Sequence, residues 1–424
     1  MTSQPKERIF SRYQVFIIAI IAILQFSVIL DFMVLSPLGA LLMEKLNIIP
    51  EQFGLVVSAY AFSAGISGLL TAGFADKLDR KKLLLFFYTG FIGGTIFCAV
   101  APTYHLLLMA RVVTGVFGGV IGSVSLAIIS DLFAFEVRGR VMGFVQMAFA
   151  ASQVLGIPIG LLLANHFGWH APFWMIASFG IMVGIVIIIY MQPITAHLKL
   201  KSESSAFLHL FKTVTRPNYL RAFVCTTLLA TGGFMLMPFG SAFSIHNLKI
   251  SMNQLPLLYG VTGVFTIIFG PFLGKFSDKI GKFKMFVIGT IISIIMVLTY
   301  TQMGPTPLWI IMLLNVILFV GITSRMISSS ALITGVPDAQ DRGAFMSINS
   351  SVQQISGGVA AAVAGLIVVE TKSGQLGHYP MLGYVVSATM VVSVFMMYWI
   401  DRYVARKIEG GSLNTQNKTA GNQG

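Results

Sequence analysis

Apolar stretches of about 20 residues recur along the whole chain, separated by short polar turns, and about 20 residues at 1.5 Å rise cross a ~30 Å hydrocarbon core as a helix. The pattern predicts twelve spans, at roughly 13–38, 52–74, 83–101, 105–129, 141–164, 171–192, 219–243, 255–274, 284–302, 307–334, 343–369 and 380–401. The first has too long an apolar region, and no small-residue cleavage pattern after it, for a removable signal peptide. The longest polar interval, 193–218, divides six spans from six and contains a short amphipathic piece, "AFLHLFKTV", expected at the membrane surface. From about residue 405 the chain turns polar and Gly-rich and is expected to be disordered.

Composition agrees with this pattern: 56% of the 424 residues are hydrophobic and 10% charged, far from the half-apolar, quarter-charged norm of soluble domains. A net charge of +13 would suggest nucleic acid in a soluble protein, but its placement points elsewhere. With the amino terminus inside, 23 Lys and Arg fall on the cytoplasmic side and only Lys45, Lys249 and Lys372 on the other, so the positive-inside rule predicts both termini in the cytoplasm. Cys98 and Cys225 lie inside apolar spans, with no disulfide framework or paired metal spacing. No Gly-Lys-Ser/Thr phosphate loop is present, and no cluster of His, Cys or paired carboxylates shares one depth, so neither ATP-driven work nor an enzyme is expected, and no cofactor.

An internal repeat crosses the linker. "GFADKLDRKKLLLF" after span 2 matches "GKFSDKIGKFKMF" after span 8, with Asp76 and Asp278 offset by 202; "AIISDLFAFEVRGR" after span 4 matches "ALITGVPDAQDRGA" after span 10, with Arg138 and Arg342 offset by 204. Parallel repeats of this kind place a binding site near the midplane between them. The domains expected are therefore a six-helix bundle over 1–192, a linker over 193–218, and a second bundle over 219–404.

Of the 43 acidic and basic residues, only Asp31, Arg111 and Arg325 lie well inside a span. At 1.5 Å per residue, Asp31 stands ~27 Å up span 1 from the cytoplasm, Arg111 ~9 Å down span 4 from the outside, and Arg325 ~27 Å down span 10. Asp31 and Arg111 are thus level with each other, while Arg325 belongs to the inner half, alone or beside Asn315, Gln353 or a substrate. Burial favours a neutral carboxyl and a neighbouring guanidinium favours an ionised one, so a pair whose separation changes can load and release a proton. The competing reading is a permanently ionised pair that fixes two helices together. Arg325 likewise reads either as a snorkelling residue or as a substrate or gating group. In span 7, Phe234 and Met235 offer adaptable contacts to an apolar substrate, or plain packing. Gln353 belongs to a polar run in span 11, "MSINSSVQQISGG", that suits a wet path or helix–helix hydrogen bonding.

The loop "AGFADKLDRKK", 72–82, resembles the signature loop of the major facilitator superfamily, matching at Asp76, Arg80 and Lys81 and departing at Ala72 and Asp79; the second-half copy keeps Gly274, Asp278 and Gly281. "LLMARVVTGVFGG" is similar to the family's span 4 pattern at Leu107, Arg111 and Gly115, with Thr114 in place of Gln. Gly156, Pro158 and Gly160, followed by "FGWHAPFW", look like the span 5 signature of its drug/proton antiporter branch, which includes sugar-efflux relatives; Ile157 and Leu161 depart from it. The resemblance implies an all-α fold of two six-helix halves. It also implies a cavity lined by spans 1, 4, 7 and 10, and a cytoplasmic latch of Asp76, Arg80 and Asp131, with Asp278 as its second-half counterpart. The expected function is proton-coupled export of a small amphipathic molecule (a drug, sugar or metabolite) by alternating access; the alternative is proton-coupled import of an anionic or sugar-like nutrient. The expected partners are that solute, protons and the lipid bilayer, with no nucleic acid. The expected state is a monomer in a plasma membrane, the inner membrane of a bacterium.

Overall fold

A computed structural model describes residues 10–71, 78–133, 135–195, 198, 206–338 and 341–421. Before the linker lie α1 (Arg12–Val34), α2 (Gly39–Leu46), α3 (Pro50–Thr71), α4 (Arg80–Val100), α5 (Tyr104–Leu132), α6 (Phe135–Ala151), α7 (Ile157–Phe167) and α8 (Ala171–Tyr190). The linker contributes α9 (Ala206–Thr215), which lies beside α10 and α15. After it follow α10 (Pro217–Leu236), α11 (Gly240–His246), α12 (Leu255–Ile280), α13 (Lys282–Thr301), α14 (Leu308–Gly335), α15 (Arg342–Ile367) and α16 (Tyr379–Gly421). A two-residue hairpin, β1 (Val369–Glu370) on β2 (Leu376–Gly377), joins the last two helices.

Eleven helical segments among the described residues are long and apolar enough to cross a membrane; the apolar segment Ser152–Phe167 is shorter, and follows α6 without a break. Its interruption is a π-turn at Ser152–Gly156, where the Ile157 N–H bonds to Ser152 O. Pro158, having no N–H to give, follows at once, and such widened turns re-pair the backbone that a proline would orphan. Exposed apolar side chains such as Phe86, Ile188, Phe272 and Phe395 cover the outside, as a lipid solvent permits and water does not.

Span 1 was expected to run unbroken to residue 38; instead α1 ends at Val34, and four turn residues containing Pro37 precede α2. The second half repeats the device: Pro238 sits in a 3₁₀ turn, Met237–Phe239, between α10 and α11. The residues expected as a disordered tail continue α16 to Gly421, propagation from a formed helix being far cheaper than nucleation.

Helices α1 to α8 pack mainly on one another, and so do α10 to α16; the two groups meet chiefly where α3 crosses α15 and where α7 crosses α12. Small residues allow the first crossing: a Cβ on Gly54 would come within 2.8 Å of Ala361 O, and one on Gly65 within 2.6 Å of Ile355 Cγ1. Ser58 Oγ reaches Gly358 O at 2.8 Å across the same seam.

Candidate functional site

The buried face of α1 carries Ile17, Leu24, Ser27, Asp31 and Val34, spaced by three to seven residues, so the carboxylate points into its own bundle. There α5 presents Arg111, whose Nη1 donates to Asp31 Oδ2 at 2.7 Å, and α4 presents Thr95, whose Oγ1 donates to Asp31 Oδ1 at 3.3 Å. Both charged side chains are 0% exposed. The guanidinium carbon stands 4.5 Å from the ring centre of Tyr60 on α3, and Arg111 Nε and Nη2 have no hydrogen-bond partner among the described residues. Two levels of the expectation meet here: the helical ruler brings Asp31 and Arg111 together, but behind Tyr60 and Phe32 rather than open on the seam between halves.

A fully desolvated pair of this kind is held by mutual attraction in a low dielectric, and removal of one member costs about 3–5 kcal/mol because the other is left buried and alone. Its chemical capacity is narrow: one carboxyl can exchange a proton, and one guanidinium can shift among that carboxyl, a carbonyl and an aromatic face. The Asp31 carbonyl already lies 3.5 Å from Arg111 Nη1.

The other expected residues fall in different places. Arg325 is 7% exposed and lies inside the second bundle, its Nη2 donating to Ser393 on α16 at 3.2 Å and its guanidinium facing Phe286 on α13 at 5.4 Å. Asn315 spends its amide on Ile311 O of its own helix, and Gln353 is exposed; neither bonds Arg325. Met235 is buried among packed side chains, whereas Phe234 is partly open and reaches across the seam to Phe32, ring centres 5.6 Å apart. Polar side chains of α10 and α15 bond each other beside it, Thr226 to Asn349 at 2.6 Å and Ser356 to Thr227 at 3.0 Å.

At the end of the first bundle where α1 begins and α5 ends, Arg80 Nε bonds Asp131 Oδ2 at 3.0 Å, and the Arg80 backbone N–H bonds Ile194 O. Asp79 caps α4 and also accepts from Ile194 N at 3.0 Å. Asp76, expected in the same latch, lies outside the described residues. Asp278 pairs with Lys282 at 3.1 Å on an exposed turn. These described bonds of Arg80, Asp131 and Asp278 stay within one half of the molecule. The second half ties its own end with Arg216 to Asp341 at 2.5 Å and Lys407 to Asp338 at 2.8 Å.

The span 5 glycines press on the helix that bears Asp31. A Cβ on Gly156 would meet Leu30 Cδ1 at 2.4 Å, and one on Gly160 would meet Val34 Cγ2 at 2.9 Å. Pro158 turns the other way, to within 3.7 Å of the position a Cβ would take on Gly260 of α12. One motif thus sets α1 on one side and the opposite half on the other. Thr95, Tyr60 and Phe32 were not singled out from the sequence; a threonine or an aromatic ring in an apolar span carries no signal of its own there.

The sequence profile of the Major Facilitator Superfamily matches residues 21–361 and 222–412. An uncharacterized MFS-type transporter of Bacillus subtilis, YceJ, is 27% identical over 265 residues, 62% of this chain and 67% of its own. A probable sugar efflux transporter of Helicobacter pylori strain G27 is 22% identical over 361 residues, 84% of this chain and 86% of its own. Among solved structures, the nucleoside transporter NupG superposes with a TM-score of 0.71 at 14% identity, over 91% of this chain and 99% of that one, a likeness of fold.

Proposed function

The chain belongs to the Major Facilitator Superfamily, and from that premise we propose that it is a proton-coupled secondary transporter that exports a small amphipathic molecule by alternating access. It is a multi-pass integral membrane protein, and its bacterial relatives support an inner-membrane location. The topology is twelve crossings in two bundles, 1–192 and 219–404, with α6 and Ser152–Phe167 together as the fifth crossing. Both termini face the cytoplasm, supported by the 23 to 3 division of Lys and Arg. The transporter acts as a monomer.

The observation that carries the reading is the Asp31–Arg111 pair. It is a fully buried carboxylate with one cationic partner among the described residues, in the half of the molecule whose helices α1 and α3 reach the seam. Intramembrane ionisable residues of this sort are costly and mark ion pathways. Export is supported by the relatives described as sugar efflux transporters. An anionic solute finds less support, since Arg111 is spent on Asp31 and Arg325 is turned to Ser393 and Phe286. Solute contacts fall to Phe234, Asn315 and Gln353, an aromatic and two amides, which suit an uncharged amphipathic molecule.

The test uses proteoliposomes with an internal pH dye, and solutes chosen by drug-susceptibility and metabolite-release screens of an overproducing strain. Solute gradients should move protons through the wild type, and Asp31→Asn should abolish that movement while solute binding stays measurable. Full coupled transport by Asp31→Asn would refute the proton role.

A further inference from the structure

Four side chains form an unbroken line from the buried pair to the opposite half. Arg111 lies on the Tyr60 ring at 4.5 Å, Tyr60 on Phe32 at 5.2 Å, and Phe32 on Phe234 at 5.6 Å. Each end is fixed. The Tyr60 hydroxyl sits where a Cβ on Gly118 would come within 2.7 Å, so the ring has no room to retreat toward α5. Phe234 lies equally close over Gly357 of α15, where a Cβ would meet its ring at 2.7 Å. Tyr60 and Phe32 stand on α3 and α1, Phe234 on α10; the line therefore crosses the seam between halves.

We propose that Tyr60 and Phe32 are positioning residues that transmit the state of the Asp31–Arg111 pair to Phe234 and so to the closure of the two halves. The proposal rests on the proton-coupled reading above. When Asp31 takes a proton, Arg111 loses its only carboxylate, and the aromatic face of Tyr60 becomes its main remaining partner, a cation–π contact that gains strength when desolvated. A guanidinium drawn onto the face of Tyr60 shifts a ring whose hydroxyl Gly118 keeps from moving toward α5, so the ring yields away from that helix. The displacement passes to Phe32 and from it to Phe234. Close-packed cores behave in this way: they move between discrete arrangements instead of deforming smoothly.

The experiment places spin labels at Glu44→Cys and Lys249→Cys, exposed positions in opposite halves, in the full-length protein in liposomes. It follows their separation from mildly alkaline to mildly acidic buffer with no solute present; the native Cys98 and Cys225 are buried. The wild type should switch separation with pH, and Asp31→Asn should stay in one state. Phe32→Leu should lose the switch or move its midpoint by at least about one pH unit, a tenfold change in the equilibrium. Tyr60→Leu should do the same, and Tyr60→Phe, which keeps the ring, should restore it. Gly357→Ala, which crowds Phe234 without touching the pair, should match Phe32→Leu. A Phe32→Leu protein that follows pH as the wild type does, while Asp31→Asn is locked, overturns the relay and leaves proton coupling standing. A wild type that ignores pH overturns both.

Discussion

Each half of the molecule buries an arginine well inside a span, Arg111 and Arg325, and the two are held in opposite ways. In the first half Arg111 meets a carboxylate at 2.7 Å, with a threonine completing that carboxylate and an aromatic face completing the cation. In the second half Arg325 has a serine hydroxyl at 3.2 Å and a phenylalanine ring, and its Nε lacks a hydrogen-bond partner among the described residues. The internal repeat duplicated the helices without duplicating the chemistry. Among the described residues only the first arrangement sets a carboxyl against its cation, so the two bundles are alike in architecture and unlike in the chemistry they bury.

The sharpest way to break that contrast is to delete each cation in turn. Arg111→Leu leaves Asp31 buried without its partner and should cost about 3–5 kcal/mol, seen as a large fall in the thermal midpoint in detergent. Most of the loss should return in the double variant Asp31→Asn, Arg111→Gln, because a neutral amide pair leaves no buried charge alone. Arg325→Leu removes a cation that no described carboxylate pairs, so it should be close to neutral, and the midpoint should hold or rise. Equal losses for Arg111→Leu and Arg325→Leu would erase the distinction. Across the seam, Ser58→Ala should cost about 1 kcal/mol, that of one hydrogen bond, and should shift the balance toward separated halves in the spin-label assay.

The smallest effect belongs to the terminal end of the second half. Lys407, bonded to Asp338 at 2.8 Å, holds that carboxyl below its ordinary value of 3.8. A lowered acid stabilises the fold above its unfolded value and loses that contribution as pH falls through the lower folded one. Lys407→Ala should therefore lower the midpoint slightly at neutral pH, by less than about 1 kcal/mol for so exposed a pair, and the two curves should converge in strong acid.

How much of this was legible beforehand depended on the range of each signal. The apolar spans and the level of Asp31 with Arg111 follow from counting residues at a fixed rise, and the chain obeys that count closely enough to join two residues 80 positions apart. The depth ruler gives height but no azimuth. It set Arg325 apart from Asp31 and Arg111, yet could not tell that its side chain turns to α13 and α16 instead of Asn315 or Gln353. Thr95, Tyr60 and Phe32 were illegible for the same reason, because their meaning lies in which neighbour each faces. The break at Pro37 was also passed over, since the apolar run continues through it without a change in hydropathy.

That break has a consequence of its own. Pro37 and Pro238 interrupt the first helix of each half at equivalent places, and the interruptions bond each other: Ser36 Oγ donates to Met237 O, and Ser241 Oγ donates to Ser36 O at 2.9 Å. Both carbonyls also take a backbone N–H in their own half, Ser36 O from Gly39 and Met237 O from Gly240, so it is the two buried serine hydroxyls that find their acceptors in the opposite half. Parting the halves at this end would leave both hydroxyls to be claimed by solvent, so separation there has to proceed together with wetting. The two serines beside those breaks thereby tie the timing of that opening to the arrival of water.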